Sequence, residues 1–372
     1  MHIGVPTEIK SQEYRVGLSP DSVKALTNAG HRVFIQTNAG LASGFSNEDY
    51  KDSGAIILDS LEEIYSTSDM VVKVKEPMAK ESALLRENQI LFTYLHLAAS
   101  AELTLSLLDS NSICIAYETV TDIDGKLPLL VPMSEIAGRL SVQAGAHTLE
   151  KPQKGRGVLL GGVSGIPPGK VLILGGGTVG ENAAEIALGM QAEVSIVDRS
   201  QERLDQLQKK FEGNLITLDS EKIVLEEHVK DCDLLIGAVL IPGGNAPKLI
   251  SRKMISTMKE GSVAVDVAID QGGCFETSEP TTHENPTYLV DGVVHYCVAN
   301  IPGAVPRTAT LALNKATLPF ILKLANDGYK NALMNDSNFL SGLNLYKGNV
   351  THKSVANDLG MEYINPSDLI KV

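Results

Sequence analysis

The chain has 372 residues, enough for two or three domains at about 100–200 residues each. Hydrophobic residues make up 43% and charged residues 21%, which excludes a disordered or collagen-like chain. A net charge of −13 argues against nucleic acid and anionic membrane as partners, because an acidic surface repels both.

The four cysteines, Cys114, Cys232, Cys274 and Cys297, form no C-x-x-C pair and no Cys/His cluster. That pattern predicts neither a metal site nor a disulfide framework, and it fits a reducing compartment. No uncharged apolar run reaches 18 residues, and the start MHIGVPTEIK lacks the basic and apolar regions of a signal peptide. The reading is a soluble cytoplasmic protein.

Residues 1–125 alternate β-rich runs with helix-like stretches, and the expected strands are 2–5, 32–36, 55–57, 70–74, 89–94 and 113–117. Helical spacing of apolar residues marks 19–29, with Ser19 as cap and Pro20 in the first turn, and 101–108. A long helix is expected over 134–150, capped by Ser134 and bridging two domains. A second α/β series follows a Gly-rich stretch, with strands at 170–174, 192–197, 234–237, 262–267 and 294–298. Residues 308–326 read as helix, and a strand-poor tail is expected to pack back on the first domain. Strands alternating with helices predict an α/β fold with parallel sheets.

The segment VLILGGGTVGENAAEIALGMQAEVSIVD runs from an apolar strand through Gly175-Gly176-Gly177-Thr178-Val179-Gly180 into a helix pattern. Gly175 suits a tight turn, Gly177 a close approach to a pyrophosphate, and Gly180 close packing of helix on strand. The helix start offers N–H groups to the anion. Asp198 ends the next strand, where an acid receives the ribose 2′-OH and favours NAD, although Arg199 beside it could pair with a 2′-phosphate. A structural turn is the bland alternative. It is weakened by the strand, glycines, helix and terminal acid all occurring in order.

Ligands of open parallel sheets bind beyond the carboxyl ends of the strands. That rule selects Lys75, His96, Asp270 and Asn300, each just after an expected strand, and Arg15 in the loop after the first. Lys75 reads either as a substrate contact or as a solvated strand end, like Lys73 or Lys80. His96 reads as functional or as a satisfied core histidine. A cleft between two α/β domains is where these residues are expected to converge.

The chain resembles the bacterial alanine dehydrogenases. The matching blocks include GVPTEIKSQEYRVGLSP (4–20), VVKVKEP (71–77), LFTYLHLAAS (91–100), LPLLVPMSEIAGRLSVQAGA (127–146), VAVDVAIDQGGCFETS (263–278) and HYCVANIPGAVPRTAT (295–310), in order over almost the whole chain. The resemblance implies two Rossmann-like domains: a catalytic one from 1–128 and 307–372, and an NAD-binding one from 129–306. It also implies a homohexamer. By the same resemblance Arg15 and Lys75 bind substrate and His96 and Asp270 are catalytic. Ser134, Gly175, Gly177, Thr178, Val179, Gly180, Asp198, Val239, Leu240, Ile269, Asp270 and Asn300 hold NAD. No metal is implied.

The implied reaction is the reversible oxidative deamination of L-alanine by NAD⁺ to pyruvate and ammonium. Arg15 offers a planar fork to the carboxylate, and Lys75 can polarise the keto group or hold the carboxylate. His96 can take and return protons, since imidazole titrates near neutral pH. Asp270 can balance positive charge on the amine or relay a proton. Met133 could limit substrate size, or simply fill the core. The alternative is the NAD(H)-binding module of a proton-translocating transhydrogenase, in which Arg15, Lys75 and His96 would be surplus.

Overall fold

Runs of aliphatic and β-branched residues form the strands, and the computed structural model describes residues 1–239 and 246–370. Among the described residues the strands in chain order are β1 His2–Val5, β2 Arg32–Gln36, β3 Ile56–Leu58, β4 Met70–Val72, β5 Ile90–Thr93, β6 Ile113–Ala116 and β7 Lys170–Leu174. They continue with β8 Glu193–Asp198, β9 Ile216–Asp219, β10 Leu234–Gly237, β11 Val263–Asp266, β12 Thr287–Val290, β13 Val293–Tyr296, β14 Leu343–Tyr346 and β15 Asn349–Val350. The chain divides into two units, Met1–Met133 with Val305–Val372, and Ser134–Ala304.

Each unit has its own sheet. The first runs β15-β14-β6-β5-β4-β1-β2-β3 and the second β12-β13-β11-β10-β7-β8-β9. Pairing is parallel except for β14 against β6 and β15, and β12 against β13. In both sheets the chain winds first to one side of its opening strand and then to the other. The strand order therefore reverses between β1 and β4 and again between β7 and β10. At such a reversal the flanking loops part and leave a crevice at the carboxyl ends. The central strands β4, β5, β6, β10 and β11 are buried at every position, as expected of parallel strands covered on both faces.

Four strands were not foreseen. The edge strands β9 and β12 are partly exposed and mix polar with apolar residues, which gives no strong period. The tail expected to lack strands supplies β14 and β15, which extend the first unit's sheet beyond β6. The bridging helix spans Val131–Thr148, so Ser134 lies inside it and is not its cap. Pro132 belongs to the first turn, where a missing N–H costs nothing. Helix Pro20–Asn28 does take Ser19 as its cap, the hydroxyl accepting from Ser22 N. Helix Pro306–Met334 runs past its expected end and is interrupted at Gly328, whose φ is 73°.

All four cysteines are buried and free. Burial pushes the Cys114 and Cys232 thiols up to about 12 and Cys297 to about 11, and it raises Cys274 well above its ordinary range. The thiolate is the reactive form. Ellman's reagent should therefore find no rapidly reacting thiol in the native protein and four after denaturation.

Candidate active site

In the second unit a cleft of about 610 Å³ opens at the reversal between β7 and β10. Its wall includes Ser134, Gly175, Gly177, Thr178, Val179, Asp198, Arg199 and Val239. Gly175 has a φ of 98°, and a Cβ there would lie 2.8 Å from Ala238 O. A Cβ on Gly180 would lie 1.8 Å from Gly175 O, so the helix can pack this close only on glycine. Gly177 is different: it is exposed, and a Cβ on it would meet nothing within 4 Å. The fold itself does not need that glycine, and the space above it is open to a ligand.

Asp198 closes the glycine turn from the side. Its carboxylate accepts Gly176 N at 2.6 Å and Ser200 N at 2.9 Å. Arg203, which the sequence did not single out, donates Nε to Gly176 O at 2.6 Å and pairs with Glu181. Arg199, the arginine beside Asp198, is exposed on the cleft wall. Leu240 lies outside the described residues.

Asp270, Ile269 and Asn300 follow the carboxyl ends of β11 and β13 and are not among the residues lining that cleft. Asp270 is exposed and Ile269 is buried. Asn300 is half-buried with a φ of 67°, its carbonyl 3.0 Å from His283 Nε2. The loop carrying Asp270 is folded around Asp266, a residue sequence reasoning missed. This buried carboxylate accepts Ala268 N at 3.1 Å, Cys274 N at 2.8 Å, Phe275 N at 3.2 Å and Ser278 Oγ at 2.5 Å. One side chain thus ties both ends of the 267–275 turn.

In the first unit Arg15 is buried, 2% exposed. Nε and Nη2 each bond a Glu13 oxygen at 2.6 Å, and Nη1 lies 3.0 Å from Met133 Sδ. Burial opposes the charge, but the Glu13 hydrogen bonds and charge outweigh it and raise the guanidinium's pKa. The long helix fixes the loop that follows. Thr310 Oγ1 accepts Val16 N at 3.2 Å, and Asn314, one turn on, accepts Ser19 N at 2.8 Å and donates to Gly17 O at 3.2 Å. Met133 thus abuts the guanidinium on its Nη1 side.

Lys73 overturns the expectation of a solvated strand end. It is fully buried, with Nζ 2.5 Å from Glu81 and 3.1 Å from Glu8. Burial works against its charge, and the two carboxylates reverse that and raise its pKa. Glu8 also accepts Val74 N at 2.7 Å, and Glu81 accepts Met78 N at 2.8 Å. Burial, ahead of the opposing pull of Lys73, holds Glu8 above the usual carboxylate range. This triad grips the chain on both sides of Lys75, which is half-buried and whose carbonyl accepts Thr93 Oγ1 at 2.9 Å.

His96 is exposed, with φ 49° and ψ 40°. A left-handed non-glycine residue stores about 1–3 kcal/mol and persists only where its surroundings enforce it. The ring stacks on Tyr94, centroids 6.0 Å apart and planes 10° apart. Tyr94 is pinned in turn by its hydroxyl, which donates to Leu129 O at 2.6 Å. The main-chain N–H groups of Leu95 and His96 both reach Glu118. Glu13, Glu118 and Tyr94 also escaped sequence reasoning.

A doubly wound second unit with a glycine-walled cleft, and a first unit carrying Arg15, Lys75 and His96 beyond its strand ends, are the marks of a two-domain oxidoreductase. Two family models match almost end to end: "Alanine dehydrogenase/PNT, N-terminal domain" over residues 4–137 and "Alanine dehydrogenase/PNT, C-terminal domain" over 141–353. The chain belongs to the alanine dehydrogenase/PNT family. Curated relatives named alanine dehydrogenase include one from Halomonas elongata, 55% identical, and one from Staphylococcus epidermidis, 53% identical, each covering 100% of both chains. A solved L-alanine dehydrogenase is 53% identical with a TM-score of 0.93, covering 97% of this chain and 99% of that one. A transhydrogenase from Sinorhizobium meliloti, 24% identical with a TM-score of 0.82 over 95% of this chain, shares the fold.

Proposed function

We propose that this chain is an NAD-dependent alanine dehydrogenase, catalysing the reversible oxidative deamination of L-alanine to pyruvate and ammonium. The observation that carries the reading is the constellation of Arg15, Lys75 and His96 at the carboxyl ends of one sheet, in a chain similar over its whole length to proteins named for that activity. A module that only binds NAD(H) for a membrane partner has no use for these three groups. In this assignment 1–133 with the chain from Val305 onward is the substrate unit, and Ser134–Ala304 is the nucleotide unit.

The cleft fits a dinucleotide. Gly177 leaves open space where a pyrophosphate would come, and helix Thr178–Gly189 starts there with its N–H groups. Asp198, on the cleft wall, is the acid for a ribose diol and disfavours a 2′-phosphate. Thr178, Val179, Ser134 and Val239 line the same space, and Gly180 lets the helix sit under it. When bound, the nicotinamide supplies the hydride acceptor.

The protein's part is binding and proton handling. The Nη1 and Nη2 side of Arg15 takes the substrate carboxylate beside Met133, with Nε and Nη2 already oriented by Glu13. Lys75, on a chain segment fixed by the buried triad, bonds the keto oxygen or the carboxylate. His96 gives and takes protons at the substrate nitrogen and at the attacking water. Asp270, exposed in the turn that follows β11, stabilises positive charge on the nitrogen or passes on its proton. Buried free thiols suit a cytoplasmic enzyme, and a homohexamer is proposed from the family resemblance alone.

The test is absorbance in the NADH band on mixing the protein with L-alanine and NAD⁺ at alkaline pH, where the amine is neutral. No NADH with alanine, serine or glycine would remove the proposal. The glycine turn gives a separate check. Gly177→Ala should keep folding stability within about 0.5 kcal/mol yet weaken NADH binding at least about tenfold. Gly180→Ala should damage the fold itself, since its Cβ would lie 1.8 Å from a carbonyl oxygen. Calorimetry and NADH fluorescence titration distinguish the two outcomes.

A further inference from the structure

Strand β5 ends at Thr93 and the 3-10 turn Leu97–Ala99 begins four residues later. In between, the N–H groups of Leu95 and His96 bond a side chain rather than a neighbouring strand. One carboxylate receives both. Glu118 Oε1 accepts His96 N at 2.6 Å and Leu95 N at 3.1 Å, and Oε2 accepts Leu95 N at 3.2 Å. Glu118 sits in the turn Tyr117–Thr119, just beyond β6, whose Ala116 is in register with Thr93. That turn is tied down independently. Ser341 Oγ donates to Thr119 O at 2.7 Å, and Thr119 Oγ1 donates to Asn344 Oδ1 at 2.9 Å. From the other side, buried Leu97 shares a core cluster with Val355 and Ala356 of helix Lys353–Leu359.

We propose that Glu118 is a positioning residue for the dehydrogenase reaction: its carboxylate clamps the main chain at Leu95 and His96 in the left-handed turn that presents the imidazole. The inference rests on the reading of His96 as the acid–base group. The geometry explains why a carboxylate is needed. Two donors on successive residues converge on one point, and an ionised acid accepts both with charge-assisted bonds. A glutamine would keep one acceptor and turn an N–H donor toward Leu95 N. Released from the clamp, His96 can leave its strained conformation for the ordinary right-handed or extended regions, and the imidazole moves with it. A shift of about 1 Å in such a group costs up to about 10²-fold in rate.

The test uses the full chain with Glu118→Ala, Glu118→Gln, His96→Asn and the double variant Glu118→Ala/His96→Asn. Glu118→Ala should lower kcat about 10- to 100-fold, with Glu118→Gln between it and wild type. The KM for pyruvate should stay within about twofold in both, because Arg15 and Lys75 in the same unit are untouched, which a loss of that unit's structure would not allow. The double variant should be no slower than His96→Asn alone, within about twofold, because Glu118 acts only through His96. Wild-type kcat in Glu118→Ala, with His96→Asn inactive, overturns the clamp and leaves the assignment of His96 standing. A double variant at least tenfold slower than His96→Asn also overturns it, since Glu118 would then act elsewhere. Full turnover in His96→Asn instead removes the underlying reading of His96, and the clamp with it. If Glu118→Ala does not fold, Glu118→Gln decides: a kcat lowered at least threefold with a native KM for pyruvate supports the clamp, and a native kcat overturns it.

Discussion

Arg15→Met should do two separable kinds of damage. The Glu13 side chain is 0% exposed and both its oxygens bond the guanidinium. Removing one member of a buried ion pair costs about 3–5 kcal/mol, because the remaining charge stays buried without its counter-ion. Chemical denaturation should register that loss. Substrate affinity should fall as well. Loss of charge-assisted bonds to a carboxylate is worth about 1.5–3 kcal/mol, so KM for pyruvate should rise about 10- to 100-fold. The double variant Glu13→Leu/Arg15→Met keeps the pocket apolar and should recover most of the stability. It should not recover KM. Arg15→Lys retains the charge but not the planar fork, so it should weaken pyruvate binding more than it weakens the fold. Unchanged KM for pyruvate in both the double variant and Arg15→Lys would remove Arg15 from the substrate site.

The sequence disclosed features whose signal is local. β1, β2, β7 and β10 lie where runs of aliphatic residues place them. The glycine turn is legible because Gly175 and Gly180 each answer a backbone demand within a few residues. For Gly175 that demand is a φ of 98°, and for Gly180 a carbonyl 1.8 Å from its would-be Cβ. Arg15, Lys75 and His96 could be singled out because a general rule about strand ends narrows the search to a few positions, and they do follow β1, β4 and β5.

The groups that hold those residues have no such signal. Glu13 and Glu118 are glutamates among many, and only the fold shows that one bonds Arg15 and the other two N–H groups 22 and 23 residues away in sequence. Lys73 reads as solvated because lysines seldom lie buried unless paired. Its pairing with Glu8 spans 65 residues, from the end of one strand to the end of its neighbour. Asp266 is the last residue of β11, where an acid is as easily solvated as buried; here it is fully buried and gathers the 267–275 turn. The missed strands share a cause. The edge strands β9 and β12 are partly exposed and only four residues long, and β14 adds to the sheet across the long gap between Ala116 and Leu343.

These supporting carboxylates follow one pattern. Glu8, Glu118 and Asp266 each follow or end a strand and accept main-chain N–H groups from a loop beyond a strand end. A loop that must hold a side chain in place, and that has left the sheet's hydrogen bonding, needs acceptors from elsewhere. A short acidic side chain fixed at a strand end is a rigid source of them.

His96→Asn is the sharpest test of the chemistry itself. Asparagine is among the few non-glycine residues that settle readily in the left-handed region, so the φ of 49° should survive the exchange. Alanine would confound loss of the imidazole with relaxation of the loop. With the backbone retained, the variant should bind NADH as wild type does, because the cleft proposed for the nucleotide lies in the other unit. KM for pyruvate should change little, since Arg15 and Lys75 remain. Turnover should fall about 10²- to 10⁴-fold, the usual worth of a positioned acid–base group. The loss should fall on kcat and kcat/KM alike, as for an interaction made only in the transition state. A variant whose kcat holds while KM rises would mean that His96 binds substrate rather than moving protons. The proton transfers would then fall to Asp270, and Asp270→Asn in the same assay would carry the loss instead.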